Sequence, residues 1–193
     1  MKPTNENRTD LKKAVLSLLW SHCGGIIVAL IFCIGMSPLL FGNGLWISTP
    51  IVLLVYSLPV FRTMWEIGHA DLNRAHFGHI TLNRWRGIQI GLLAMIPFFL
   101  TGVFFLLSKA GLFPNFVVLY KFLNAELWPV INLIQISMYL PDYNWFQAIS
   151  VALLIHLIPV AIAEFAYQLG SRDFSIKQKL VYKEKKEGPK PRS

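Results

Sequence analysis

Charged residues and cysteines are both scarce in this sequence. Only 15% of the 193 residues are charged, whereas 54% are hydrophobic, and the mean hydropathy is +0.51. A soluble domain of this size could hide so much apolar surface only with difficulty, so lipid is the simpler solvent for the chain. Cys23 and Cys33 lie about ten residues apart in the first apolar segment, or roughly 15 Å along a helix. That distance excludes a disulfide between them.

Signatures of enzymes are also missing. The sequence contains no GxSxG elbow, no HExxH pair, no Walker A loop and no CxxC pair. It therefore indicates no cofactor and no particular reaction. No linker rich in glycine, serine or proline divides the chain either, so we expect residues 1–193 to form a single domain with a basic tail over 170–193.

Long apolar segments are what the sequence does contain. Four of them are long enough to cross roughly 30 Å of hydrocarbon as helices. They cover 14–36, 45–64, 88–107 and 145–169. The uncharged stretch between the first two contains glycine and proline, which favours a tight helical hairpin. The sequence therefore predicts an all-α integral membrane protein built as a bundle of four transmembrane helices.

The net charge of +8 comes mainly from three basic clusters, and each cluster borders an apolar segment. They lie at 1–13, 62–86 and 170–193. Lys and Arg collect in the cytoplasmic loops of membrane proteins, so this pattern needs no nucleic acid to explain it. We expect a multi-pass protein of the plasma membrane, and of the bacterial inner membrane in particular, with both termini in the cytoplasm.

The segment 113–139 is apolar enough to suggest a fifth crossing. Such a crossing would export the basic tail and bury Lys121 and Glu126, at about 2.5 to 3.5 kcal/mol for each ionised side chain. We therefore predict an additional interfacial or re-entrant helical segment between helices 3 and 4, with its helix pair broken at Pro129. A lid packed over the bundle is the alternative. The predicted apolar face consists of Phe116, Leu119, Leu123, Leu127, Ile131, Ile134 and Met138.

His156 lies near the middle of the last apolar segment, where an ionisable side chain is costly and usually faces protein or water. Glu164 follows it on the same predicted helix, within about 80° of the same direction and roughly 12 Å further along. Together they are a candidate binding site or path for protons or cations. In the alternative, His156 forms a structural hydrogen bond across the bundle and Glu164 pairs with an arginine. The arginines considered are Arg84, Arg86 and Arg172.

Three of the five histidines fall in the second basic cluster: His69, His76 and His79. Two or three imidazoles so close along the chain are a candidate metal site. Glu66 and His69 have the Glu-x-x-His spacing of di-iron bundles, but the second copy that such sites need is missing. Arg74 adds positive charge where a metal ion would bind. A solvated loop near the lipid headgroups is therefore the alternative.

Lysines of the basic tail alternate with apolar residues. This pattern predicts a short amphipathic segment on the anionic lipids of the membrane, stabilised by about 1 kcal/mol for each basic residue near the surface. A fully solvated tail is the alternative. The lysines expected to contact lipid are Lys177, Lys179, Lys183, Lys185 and Lys186.

Three functional classes remain open. The first is a non-catalytic accessory or partner-binding subunit of a membrane complex, favoured by the small size and by small-residue pairs such as Gly25 and Ala29 that let helices approach. The second is a transporter or channel component that uses His156 and Glu164. The third is a membrane enzyme with a His-rich cytoplasmic loop, which has few ligands to offer. The expected partners are the lipid bilayer and either another membrane protein or a second copy of the chain.

Overall fold

The computed structural model describes residues 5–172, with side chains from residue 10 onward, and the regular elements in that range are all helices. Short 3-10 turns connect or interrupt them. The α-helices of this part of the chain are α1 (Asn5–Gly35), α2 (Leu45–His76), α3 (Arg86–Lys109), α4 (Val117–Leu123), α5 (Trp128–Ile134), α6 (Trp145–Ala152) and α7 (Leu157–Gly170).

Four stretches of the described chain are long and apolar enough to cross a membrane, and they coincide with the four predicted segments. They are Asp10–Gly35, Gly42–His76, Arg86–Lys109 and Trp145–Gly170. The prediction of an all-helical chain with four candidate membrane spans is therefore confirmed. Such a chain is compatible with a multi-pass membrane protein.

α2 is much longer than its apolar segment. Its 32 residues extend over roughly 48 Å, so one end continues past a hydrocarbon layer of about 30 Å. The prediction of a loop that starts at residue 62 is wrong, because the helix continues to His76. It ends at a glycine rather than at a change of hydropathy: Gly78 has a φ of 73°, and the amide of His79 donates to the carbonyl of Arg74 over 3.0 Å.

The fourth candidate span is two helices rather than the predicted single one. α6 starts with a capping box, in which the Gln147 amide donates to Asn144 Oδ1 over 2.8 Å, and it ends at Ala152. A 3-10 turn, Leu154–His156, separates it from α7. Pro159 explains the restart, because it has no N–H for the carbonyl four residues earlier and is tolerated in the first turn of a helix.

α4 and α5 form a bent pair between α3 and α6. A 3-10 turn, Ala125–Leu127, joins them, and the two arms meet at an angle of 96°. The break therefore lies before Trp128, whereas the sequence predicts it at Pro129. Pro129 stands in the first turn of α5, where a missing N–H costs no hydrogen bond. Taken as one bent unit, the pair is also apolar enough to count as a span.

The bent pair buries its polar side chains and exposes several of its apolar ones. Lys121, Asn124 and Glu126 are buried, with at most 1% of their surface exposed, whereas Leu119 is 49% and Leu123 is 38% exposed. Leu127 and Ile131 of the predicted apolar face are fully buried, so the residues of that face are divided between the interior and the surface. The argument that burial of Lys121 and Glu126 would be too costly is also overturned. An inverted polarity is what a helix pair needs when its surroundings are apolar and its contacts are protein.

Lys121 can be buried because each of its three N–H donors has an acceptor. Its Nζ donates to Asn132 Oδ1 over 2.8 Å, and to the carbonyls of Ile136 and Ser137 over 3.2 and 3.1 Å. Asn132 Nδ2 in turn donates to the carbonyl of Leu40 over 2.9 Å. This set of contacts, the Lys121 clamp, ties α4 to α5 and both to the turn after α1.

Glycines allow the long helices to pack closely. A Cβ on Gly68 would meet the backbone at Tyr167, and one on Gly170 would meet the backbone at Trp65, so α2 and α7 pack against each other almost backbone to backbone. In the same way, Gly102 of α3 lies against the backbone of Ala152 at the end of α6. Such contacts provide packing and weak hydrogen bonds where the hydrophobic effect between helices is small.

Most of the charged side chains of the long helices gather at one end of the bundle, which we call the arginine end. Arg74 pairs with Asp10 over 2.6 Å, and Arg86 pairs with Asp71 over 3.0 Å. At the opposite end, Lys109 Nζ donates to the carbonyl of Leu140 over 3.2 Å. The described residues of the first two predicted basic clusters therefore lie on the same side of the bundle. The third begins beside them, where α7 ends at Gly170.

Candidate functional site

Polar side chains from several helices meet at mid-depth in the bundle. Each of these side chains lies 11 to 13 residues from the end of its helix or span that is opposite the arginine end. They belong to His22, Tyr56, Phe98 and His156. At about 1.5 Å per residue, that places them roughly 16 to 20 Å below that end. The 3-10 turn of the bent pair, Ala125–Leu127, reaches the same level because its side chains contact these residues.

The centre of this site is a buried acid and base, which we call the His22–Glu126 pair. Both side chains are 0% exposed, and His22 Nε2 lies 3.7 Å from Glu126 Oε1. The other imidazole nitrogen, Nδ1, is 2.6 Å from the hydroxyl of Tyr56. Phe98 covers the ring in an edge-on contact, with ring centroids 4.2 Å apart. The imidazole is thus held on one side and faces the carboxyl group on the other.

The facing atoms of the pair are unusual because they lack hydrogen-bond partners. Among the residues that the structure describes, no other residue forms a hydrogen bond with His22 Nε2 or with either carboxylate oxygen of Glu126, and only the backbone amide of Glu126 itself lies close enough to act on its carboxyl group. Buried polar atoms are nearly always paired, and each exception calls for an explanation. Two further atoms close to the turn share this property in the described chain: Asn124 Oδ1 and Trp128 Nε1.

The turn that carries Glu126 is fixed on both sides by hydrogen bonds. Cys33 Sγ donates to the carbonyl of Ala125 over 3.4 Å, which connects α1 to the turn. Asn124 Nδ2 donates to the carbonyl of Tyr120 over 2.9 Å and to Thr101 Oγ1 over 3.3 Å. These contacts hold the carboxyl group of Glu126 in place against α1 without using its oxygens.

His156 forms a hydrogen bond across the bundle, as expected if its role is structural. The hydroxyl of Tyr120 is 2.6 Å from the carbonyl of Val151 and 3.0 Å from His156 Nε2. Because the hydroxyl has a single hydrogen and the carbonyl can only accept, His156 Nε2 must carry a hydrogen and donate to Tyr120. The ring of Phe99 lies against the imidazole, with centroids 5.3 Å apart. A neutral His156 is fully accommodated in these contacts.

Glu164 does not share the surroundings of His156. It is half-buried beside Gly87 of α3, and Gln168 Nε2 donates to its Oε1 over 2.8 Å. The predicted single helix for both side chains is interrupted at the 3-10 turn that contains His156, so the expected common direction does not apply. The predicted arginine contact is also absent from the described residues, because Arg86 pairs with Asp71 instead.

The histidines of the second basic cluster do not converge. His69 stacks on Trp65 within α2, with ring centroids 5.3 Å apart, whereas His76 and His79 are exposed. Over residues 5–172, no group of three or more His, Cys, Asp or Glu side chains is arranged to hold a metal ion. The tail lysines Lys177, Lys179, Lys183, Lys185 and Lys186 lie outside the described residues.

Sequence reasoning missed the residues at the centre of the site. His22 is the one ionisable histidine of the first apolar segment, so the criterion that selected His156 also applied to it. Glu126 lies in a segment whose pattern predicts an amphipathic, interfacial or re-entrant helix pair, so the sequence alone does not place it in the core. Contacts between α1 and the bent pair depend on tertiary structure, and no spacing along the chain reveals them.

Comparison with known proteins adds no functional information. No family model matches the chain, and no curated protein and no solved structure is similar to it. The functional argument therefore depends on the geometry of the site alone.

Proposed function

We propose that this protein is a component of a membrane transport system and that the His22–Glu126 pair is its ion-binding site. One observation carries the proposal: a fully buried carboxyl group faces a fully buried imidazole, and the facing atoms have no hydrogen-bond partner in the described chain. Ionisable groups at the depth of the bilayer are expensive, and they usually mark the path of an ion or a proton. A purely structural pair would be expected to satisfy its own atoms.

The bent pair supports this proposal as a re-entrant hairpin. Its two ends meet at the end of the bundle that carries Lys109, where Asn115 Nδ2 donates to the carbonyl of Met138 over 3.1 Å. Its turn reaches mid-depth, so the segment enters and leaves on one side. Irregular backbone at such depth is tolerated where protein covers it, and the buried Asn124 and Glu126 meet that condition. An interfacial helix pair would instead expose its polar side chains to water.

The interrupted fourth span supports it as well. Transporters commonly build their binding sites from discontinuous helices whose breaks lie near the middle of the membrane. Here the break between α6 and α7 contains His156, and it lies at the level of the His22–Glu126 pair. Two broken elements, the hairpin and the fourth span, therefore meet at one depth.

The orientation that we propose places both termini in the cytoplasm, with the protein in the plasma membrane. The arginine end supports this orientation, because Lys and Arg are retained on the cytoplasmic side. A reporter fused after Ser193 should therefore be labelled only after the cells are permeabilised. A reporter inserted at Asn43, between α1 and α2, should be labelled in intact cells. Labelling of the Ser193 reporter from outside would overturn the orientation.

The flux experiment tests the transport function directly. Purified protein is reconstituted into liposomes that contain a pH dye or a sodium dye, and a potassium diffusion potential drives cation entry. We expect Glu126→Gln to lower the flux by about tenfold or more, because a neutral amide can neither release a proton nor balance the charge of a cation, and a loss of about 1.4 kcal/mol is already tenfold. Glu66→Gln is the matched control, since Glu66 lies on the surface of α2 with its side chain 56% exposed.

Flux that is equal in the unmodified protein and in Glu126→Gln would contradict the proposal. Absence of flux from the unmodified protein, together with a stoichiometric partner in affinity purification, would favour the accessory-subunit class instead. That class stays a prediction, but the small-residue pair that favours it is already in contact with other parts of the same chain. Gly25 packs against Tyr56 and Ala29 is fully buried, so this small-residue face is not free for a partner. The enzyme class also stays a prediction.

A further inference from the structure

We propose that His22 and Glu126 together hold one exchangeable proton, so that the ion bound by the pair is a proton. The inference deepens the proposed transport function and rests on it only for the onward movement of that proton. The binding itself follows from the geometry of the two side chains. They are fully buried, their nearest atoms are 3.7 Å apart, and those atoms lack other partners in the described residues.

One proton between these groups has two arrangements. In the first, Glu126 is a carboxylic acid and His22 is a neutral imidazole. In the second, the O–H bond of Glu126 has broken, an N–H bond has formed at His22 Nε2, and a carboxylate faces an imidazolium. The pair has no net charge in either arrangement. The separation exceeds a typical hydrogen-bond length of about 2.9 Å by less than 1 Å, so a shift of less than 1 Å closes it.

The number of protons on the pair follows from its burial. With one proton the pair is neutral, with none it is an isolated anion, and with two it is an isolated cation. An uncompensated charge in a protein interior costs several kcal/mol, so the buried pair must hold one proton. Releasing that proton requires contact with water or a partner charge. The arrangement with both side chains at 0% exposure is therefore the loaded state of the site.

The ligand count argues against a metal ion in the same place. Zinc is usually held by four ligands, or by three and a water, and calcium by six to eight oxygens. The described residues contain no group of three or more His, Cys, Asp or Glu side chains suited to a metal. A proton needs only two groups, and the pair supplies one acid and one base.

The neighbours of the pair leave the proton between these two groups. The titratable side chains that face it are Tyr56 of α2, Cys33 of α1, Tyr120 of α4 and His156 of the broken span. Each of these is already committed to a hydrogen bond. α3 contributes the ring of Phe98 on the covered face of His22. Tyr56 is the neighbour that acts on the pair directly: whenever Nε2 faces the shared proton, Nδ1 carries a hydrogen and donates it to the Tyr56 hydroxyl.

Infrared spectroscopy of the full-length protein in lipid nanodiscs tests this inference without any flux. Glu126 should give a carbonyl band of a protonated carboxylic acid that disappears in Glu126→Gln and remains in Glu66→Gln. In His22→Gln the band should persist to a pH about one to three units higher, because the imidazolium that stabilises the carboxylate is gone. His79→Gln, an exchange of an exposed histidine, should leave the band unchanged.

If His22→Gln does not fold, Tyr56→Phe provides a second test of the same carbonyl band. It removes the hydroxyl at Nδ1 and keeps the ring that packs against Gly25, and it should move the band in the same direction by a smaller amount. The inference is overturned if no band depends on Glu126 at any pH, or if the band is present and neither exchange moves it. Normal band shifts without any proton flux would instead contradict the transport function and leave the shared proton in place.

Discussion

Gly102→Leu should leave little folded protein. The glycine lies against the backbone of Ala152, so a larger side chain would have to separate α3 from α6 rather than move a flexible neighbour. Overpacking in a protein core usually costs about 1 to 3 kcal/mol, and a clash with backbone belongs at or above the upper end of that range. We expect a loss of thermal stability and a large aggregated fraction in size-exclusion chromatography of the detergent-solubilised protein.

Gly24→Leu is the matched control for this exchange. Gly24 is also helical and lies on α1, but no atom approaches within 4 Å of the position that its Cβ would occupy. Leucine is favoured over glycine within a helix, by somewhat less than the roughly 0.8 to 1 kcal/mol that separates alanine from glycine, so stability should stay the same or rise. Two variants of equal stability would show that α3 and α6 are not in contact at Gly102.

Arg86→Met should destabilise the protein by about 3 to 5 kcal/mol, the usual cost of removing one partner from a buried ion pair. The Arg86 side chain is 16% exposed, and its Nε lies 3.0 Å from Asp71, which is 3% exposed. After the exchange, the buried carboxylate would keep the hydroxyl of Tyr167, which donates to it over 3.0 Å, and the more distant charge of Arg74. Unfolding midpoints in mixed micelles measure the effect.

Helix α2, which carries Asp71, provides both a control and a rescue. Arg62→Met is the control: it removes the same kind of positive charge, but from an ion pair with Glu66 on the surface of α2, where the two side chains are 81% and 56% exposed. This exchange should cost at most about 1 kcal/mol. Adding Asp71→Asn to Arg86→Met should restore much of the lost stability, because no buried charge is then left without a partner. Equal losses for Arg62→Met and Arg86→Met would contradict a buried pair at the arginine end.

The long spans could be predicted from sequence because their cause is local. Runs of some twenty apolar residues form helices in lipid whatever their neighbours are, and all four predicted runs are helical here. Their ends were less predictable. α2 continues to His76 because a left-handed Gly78 ends it, and that signal lies well beyond the apolar segment 45–64.

The site could not be predicted because the relevant contacts join distant parts of the chain. Lys121 and Glu126 looked too polar to be buried as long as no partners were known. In the structure, Asn132 and two carbonyls satisfy Lys121, and His22 faces Glu126 from α1. His156, which the sequence did single out, is committed to Tyr120, so the isolated histidine of the first span proves more informative than that of the last.

The Lys121 clamp has a mechanical consequence for the hairpin. Because one ammonium group joins α4 to α5 and to the chain beyond it, the two arms cannot separate without stripping a buried cation of its acceptors. Asn132 fastens the same unit to the carbonyl of Leu40. Any opening that lets water reach Glu126 is therefore expected to leave the two arms of the hairpin together.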